Sequence, residues 1–165
     1  MESRLTTAVI LPEQVARVDQ CLQMLLDKSI AGCAMLLDHS GQIVAKRGDR
    51  FHSESVPLGA LIAGSFASAR EIARLLGEEQ FQTLFQQGRR QHVLTIAVNR
   101  SWLLVVVFDK KTSVGLVRVL CGQAAQELSS ILAEVCQQPE LQRASLATGF
   151  GRLAAKAIDD LFEGA

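Results

Sequence analysis

The sequence predicts an α/β protein of the α+β type, in which a five-stranded, mostly antiparallel sheet lies between helices. Apolar residues recur at helical spacing near the N-terminus, and short strand-like runs follow in a group of two and a group of three. The last three runs are consecutive, which favours antiparallel pairing. The predicted order is α-β-β-α-β-β-β-α, with a further short helix at the C-terminus.

The first helix is predicted from Pro12 to about Ser29, because proline suits the first turn of a helix. Its apolar residues recur at helical spacing: Val15, Val18, Cys21, Leu22, Leu25 and Leu26. Two strand-like runs, residues 31–37 and 42–47, then form a hairpin around a turn that ends in Gly41. In the second run we expect Ile43 and Ala45 to share one face.

The second helix is predicted from Ser55 to about Leu76, and Gly77 suits the position after its end. Three strands follow, over residues 80–87, 91–98 and 101–109. Residues 113–138 are ambiguous. Their first part is rich in β-branched residues, which favours a strand, but the later apolar residues have helical spacing. We predict a helix from about Ser113.

Residues 1–138 are predicted to form one domain, residues 139–149 a linker, and residues 150–165 an amphipathic helix. The apolar stripe of this last helix consists of Phe150, Leu153, Ala154, Ala157, Ile158, Leu161 and Phe162.

The composition excludes several classes of function. In this chain of 165 residues, 17 Lys and Arg balance 17 Asp and Glu, so we expect no electrostatic attraction to nucleic acid or anionic membrane. The longest apolar run, residues 102–108, is too short to cross a bilayer. The N-terminus has no signal-peptide pattern, so a cytoplasmic location is expected.

Nothing in the sequence has the pattern of a catalytic site, so the chain is not expected to be an enzyme. His39, His52 and His92 have no nucleophile beside them in a known motif. The four cysteines lack metal-ligand or redox spacing and are expected to be free thiols. No cofactor or metal is expected. Three turn arginines could serve as an arginine finger, although simple surface exposure explains them better: Arg89, Arg90 and Arg100.

The second helix is the most informative element. One side is assigned to the core: Leu58, Leu61, Ile62, Ser65, Ile72, Leu75 and Leu76. The other side has few polar side chains in its first half: Ala60, Ala63, Gly64, Ala67, Arg70, Glu71 and Arg74. A helical glycine costs about 1 kcal/mol relative to alanine, so Gly59 and Gly64 need a compensating close contact. A partner chain would provide it; the alternative is the C-terminal helix of the same chain.

Several sequence segments resemble those of the Roadblock family, which is related to dynein light chains. They are the hairpin residues 34–43, Ala63-Gly64, residues 75–78 with Phe81, Phe85 and Gly88, residues 104–118, and residues 158–162. The resemblance is strongest to bacterial members that activate a Ras-like small GTPase in gliding motility and cell polarity.

This resemblance implies a homodimer joined through the second helices and the third strands. It implies that one dimer binds one Ras-like GTPase and reshapes its active site without an arginine finger, at a cell pole in the cytoplasm. Ile158, Leu161 and Phe162 would anchor the C-terminal helix on the GTPase. One departure is Gly122-Gln123, where relatives carry a basic pair. The alternative is a Roadblock scaffold that does not stimulate GTP hydrolysis.

Overall fold

The computed structural model describes residues 10–49 and 55–133. The order of elements is α1 (Pro12–Ser29), β1 (Cys33–Asp38), β2 (Ile43–Arg47), α2 (Ser55–Leu75), β3 (Thr83–Gln87), β4 (Gln91–Ala97) and β5 (Trp102–Asp109). A third helix, α3, covers residues 114–133. This order confirms the predicted α+β fold. The predicted linker and C-terminal helix lie outside the described residues.

The five strands form one sheet in the order β2-β1-β5-β4-β3. Every neighbouring pair is antiparallel. The central strands β1 and β5 are almost entirely buried, as expected for near-continuous apolar runs covered on both faces. The two edges of the sheet are β2 and β3, and β3 is the more exposed of the two.

The β1–β2 hairpin contains a bulge that the alternation of β2 did not reveal. Leu36 pairs with Ala45, but the next residue, Leu37, pairs with Ile43. Cross-strand partners share a face, so Ile43 and Ala45 lie on opposite faces of the sheet. The prediction that they share one face is therefore wrong, because the bulge inserts one residue between them.

The sheet lies between α2 on one face and the pair α1 and α3 on the other. Ile62 and Phe66 of α2 pack in a cluster with alternate residues of β1 and β5. On the opposite face, Asp19 of α1 forms an ion pair with Arg47 of β2 at 2.7 Å. The guanidinium of Arg118 in α3 lies 5.6 Å from the ring centre of Phe85 in β3, within cation–π range.

The described part of the ambiguous stretch after β5, residues 114–133, is helical, as predicted. A short turn comes first, in which the Asp109 carboxylate accepts a hydrogen bond from the Lys111 amide. The hydroxyl of Thr112 donates to the carbonyl of Ser29 at 2.8 Å, which ties this turn to the end of α1. Buried residues then recur every three or four positions and outweigh the β-branched character: Val117, Cys121, Ala124, Ala125, Leu128 and Ile131.

Candidate partner-binding surface

Helix α2 ends in a well-formed glycine cap. Gly77 has a φ of +77°, in the left-handed region that favours glycine. The Glu78 amide donates to the carbonyl of Ala73 at 2.9 Å, and the Gly77 amide donates to that of Arg74 at 3.2 Å. These two bonds form a Schellman motif, which satisfies carbonyl groups that the helix end leaves without partners. The predicted role of Gly77 is thus confirmed.

The buried side of α2 is composed mainly of small residues. Phe66, only 1% exposed, marks the middle of this side. Its other members are Gly59, Ile62, Ala63, Ala69 and Ala73. Ala63 was predicted to face a partner, but it is 5% exposed and packs within its own domain. The prediction is wrong for this residue because the two predicted faces omitted Phe66 and were rotated about the helix axis.

The first half of α2 approaches the β1–β2 turn very closely. A Cβ atom built on Gly59 would lie 2.5 Å from the carbonyl oxygen of Gly41. A Cβ atom on Gly41, whose φ is +89°, would lie 2.6 Å from the Cα of Ala60. The cost of Gly59 in the helix is therefore compensated inside this chain. At Gly64, nothing lies within 4 Å of where the Cβ would be.

The outer side of α2 exposes large apolar side chains. Their exposed fractions are 75% for Val56, 70% for Leu61, 51% for Ile72, 76% for Leu75 and 69% for Leu76. The last four were predicted to belong to the core, and this prediction is wrong. Contiguous exposed apolar surface usually marks an interaction site. We call Leu61, Gly64, Ser68, Ile72 and Leu75 the outer stripe, because their spacing places them on one side of the helix.

Of the other predicted partner-binding residues of α2, Gly64 belongs to the outer stripe and the rest flank it. Ala60 and Gly64 are exposed and Ala67 is half-buried. Three exposed charged residues lie in the second half of the helix: Arg70, Glu71 and Arg74. Arg74 forms an ion pair with Glu71 at 3.0 Å. Ile158, Leu161 and Phe162 lie outside the described residues.

Among residues 10–49 and 55–133, strand β3 forms an edge of the sheet that pairs with no further strand. Gly88 donates to the carbonyl of Gln91, and the Ala97 amide donates to the carbonyl of Gln82, both at 3.0 Å. Since bonding alternates along an antiparallel strand, residues 82, 84, 86 and 88 bond to β4. The backbone groups of the residues between them, Thr83, Phe85 and Gln87, therefore point away from the sheet. Half-buried Leu84, Val93 and Ala97 continue the apolar surface on the α2 face.

Titratable groups in the described residues do not form a reactive centre. Burial raises the pKa of the Cys21 and Cys121 thiols to about 12, which keeps them protonated and unreactive. Burial, followed by the nearby charge of Arg70, lowers the pKa of His39. Within residues 10–49 and 55–133, no group of three His, Cys, Asp or Glu residues could hold a metal ion. No helix in these ranges is long and apolar enough to span a bilayer.

A sequence model of the Roadblock/LC7 domain matches residues 18–108, more than half of the chain. The chain belongs to the Roadblock/LC7 family. No protein of curated function matches it in sequence.

Solved Roadblock structures include close structural neighbours. MglB of Myxococcus xanthus is 29% identical, with a TM-score of 0.72 over 77% of this chain and 96% of that one. The gliding protein MglB of Thermus thermophilus is 28% identical, with a TM-score of 0.73 over 78% and 97%. A further MglB, described with a tetrameric arrangement, is 28% identical, with a TM-score of 0.74 over 78% and 97%.

Proposed function

We propose that the chain is a homodimeric regulator, a GTPase-activating protein, of a bacterial Ras-like small GTPase of the MglA type that controls cell polarity or motility. Two observations support the homodimer: the exposed apolar side of α2, and the unpaired backbone groups along the β3 edge. The similarity to MglB proteins of two bacteria supports the GTPase as the second partner.

The homodimer would bury both features at once. Leu61, Ile72 and Leu75 would pack against the second α2, and Gly64 would let the two helix backbones approach closely. The outward backbone groups of β3 would bond to the partner's β3 and join two sheets into one. The outer stripe of α2 is exposed in the single chain, and the second α2 would cover it.

The GTPase would bind to surface that the dimer leaves accessible. Ala60, Ala67, Arg70, Glu71 and Arg74 flank the outer stripe and are suitable for contacts with a polar partner. The predicted anchors Ile158, Leu161 and Phe162 would add a second contact. The regulator would act by stabilising the catalytic arrangement of the GTPase's own residues, without supplying an arginine.

Single-turnover GTP hydrolysis by the cognate GTPase, with and without saturating amounts of this chain, tests the proposal. We expect the chain to accelerate hydrolysis, and we expect Arg100→Ala, a change in an exposed turn, to leave the maximal accelerated rate within about twofold. If Arg100→Ala abolishes acceleration at saturation, this chain supplies a catalytic arginine and the mechanism is wrong.

The second candidate is a Roadblock scaffold that binds partners without affecting hydrolysis. The feature that favours it is Gly122-Gln123 on α3, where the family resemblance implies a basic pair; Gln123 is exposed and Gly122 is half-buried. This chain would lack any contact that such a pair makes with a GTPase. Binding of the GTPase with no acceleration at saturation would favour the scaffold over the activator.

A further inference from the structure

The residues around β3 carry a charge pattern that the dimer interface alone does not require. Exposed Glu78 and Glu79 precede the strand, and exposed Arg89 and Arg90 follow it at the tip of the β3–β4 hairpin. The nine residues between these pairs, residues 80–88, contain no charge and no proline. Proteins usually protect an exposed edge strand with charges or proline, so this uncharged edge is suited to pairing.

Symmetry restricts how two copies of this edge can pair. A two-fold axis perpendicular to the sheet makes the two β3 strands antiparallel. Hydrogen-bonded pairs require outward-pointing residues on both strands, which here are Thr83, Phe85 and Gln87. The register that uses all three places Phe85 opposite Phe85. The β3–β4 hairpin tip of each copy then lies next to the start of the partner's β3, where the partner's α2–β3 loop ends.

Resting on the proposed homodimer, we infer that the two charge pairs specify its partner and register. With Phe85 opposite Phe85, Arg89 and Arg90 of one copy come opposite residues 81 and 80 of the other, next to Glu79 and Glu78 along its chain, and the two-fold axis repeats this arrangement. A parallel arrangement would bring like charges together at both ends. Lys110 lies beside Arg89 and Arg90 around the same shallow concavity, and its charge increases the demand for an acidic counterpart.

The two charge pairs would contribute more to the choice of dimer partner than to the affinity of the dimer. Exposed ion pairs contribute little to binding because water and salt screen them, whereas juxtaposed like charges oppose a wrong partner strongly. The affinity would come from the outer stripe of α2 and from the β3 backbone. The charge pairs would reject other Roadblock chains and shifted registers in a cell that contains more than one member of the family.

Charge reversal of the full chain tests this inference. An acidic variant carries Arg89→Glu and Arg90→Glu, and a basic variant carries Glu78→Arg and Glu79→Arg. By analytical ultracentrifugation at low salt, we expect each variant alone to dimerise at least about tenfold more weakly than the wild type. A 1:1 mixture of the two should form a heterodimer, and one chain with all four changes should dimerise like the wild type.

A control variant, Lys28→Glu with Arg100→Glu, changes the net charge as the acidic variant does, at exposed positions away from β3, and it should dimerise normally. If each reversed variant dimerises like the wild type, or if the mixture shows no preference for the heterodimer, the charge pairs do not specify the partner. If the wild type itself stays monomeric at every concentration, the homodimer fails too. The two failures are thereby distinguished.

Discussion

Helices α1 and α2 use apolar residues in opposite ways. Most large apolar residues of α1 are buried, and Leu22 is 0% exposed, although Met24 is 39% exposed. In α2 the buried side is made mainly of glycine and alanine around Ile62 and Phe66, while Leu61 and Leu75 are 70% and 76% exposed. Helix α1 therefore completes its packing inside the described domain, whereas α2 presents its larger side chains outward.

Part of the difference comes from a close contact at the start of α2. The backbone of α2 lies against the β1–β2 turn, where Gly41 and Gly59 leave no room for a Cβ atom. Small residues permit this close contact. Because stabilisation scales with the apolar area that is buried, their small side chains contribute little to it. The exposed outer stripe of α2 is then available for association with another chain.

The largest expected effect is a loss of stability when a buried residue of α1 is truncated. We expect Leu22→Ala to lower the free energy of unfolding by about 2–5 kcal/mol, because it leaves a cavity at a fully buried position. The matched change Leu61→Ala should shift it by less than about 0.5 kcal/mol in the monomer. The single tryptophan, Trp102, is 6% exposed and reports unfolding by fluorescence in urea. Equal losses for both variants at a concentration where both are monomeric would contradict the comparison.

The second effect concerns association. Leu61→Arg places a charge in the outer stripe and should weaken dimerisation by about 30-fold or more, or about 2 kcal/mol. The control is Val119→Arg, which changes an apolar residue of α3 that is 60% exposed. Concentration-dependent sedimentation measures both. Unchanged dimerisation of Leu61→Arg would exclude the outer stripe from the interface.

The two glycines of α2 provide a smaller and more selective test. Gly59→Ala should destabilise the monomer by about 1–3 kcal/mol, because the added methyl group meets the Gly41 carbonyl. Gly64→Ala should stabilise it by up to about 1 kcal/mol, since its Cβ meets nothing within 4 Å and alanine favours helix. Urea unfolding of both variants measures the difference. Destabilisation of the monomer by Gly64→Ala would show a close contact at that position.

The smallest expected effect is a pH dependence beside α2. Burial lowers the pKa of His39 below its ordinary value of 6.5, and Arg70 lowers it further. The folded state then binds a proton less readily than the unfolded state, so His39 favours folding above pH 6.5 and this contribution is lost as pH falls through the lower pKa. We expect Arg70→Ala to raise the pKa of His39, measured by NMR titration. A pKa that is unchanged in this variant would show that the Arg70 charge does not act on His39.

The chemistry of the candidate surface was predictable, but its orientation was not. Helix α2, its glycine cap and its partner-binding role could be proposed from the residue types and their spacing. The rotation of the helix could not, because a helix that is apolar on both sides has no unique inward direction. Phe66 was the available signal: a face centred on it would have placed Ala63 inward and Leu61 outward.

The sequence by itself determined the order of the elements up to β5 and the absence of familiar catalytic motifs, and it favoured a helix after β5 over the competing strand. These depend on local spacing, on turn residues and on motifs that a chain carries wherever it folds. Only the tertiary structure decided that β2 has a bulge opposite β1, that β3 is an edge strand, and that α2 packs through its small residues. Each of these depends on which segments meet in space, and a residue's neighbours along the chain do not specify its neighbours across a sheet or beneath a helix.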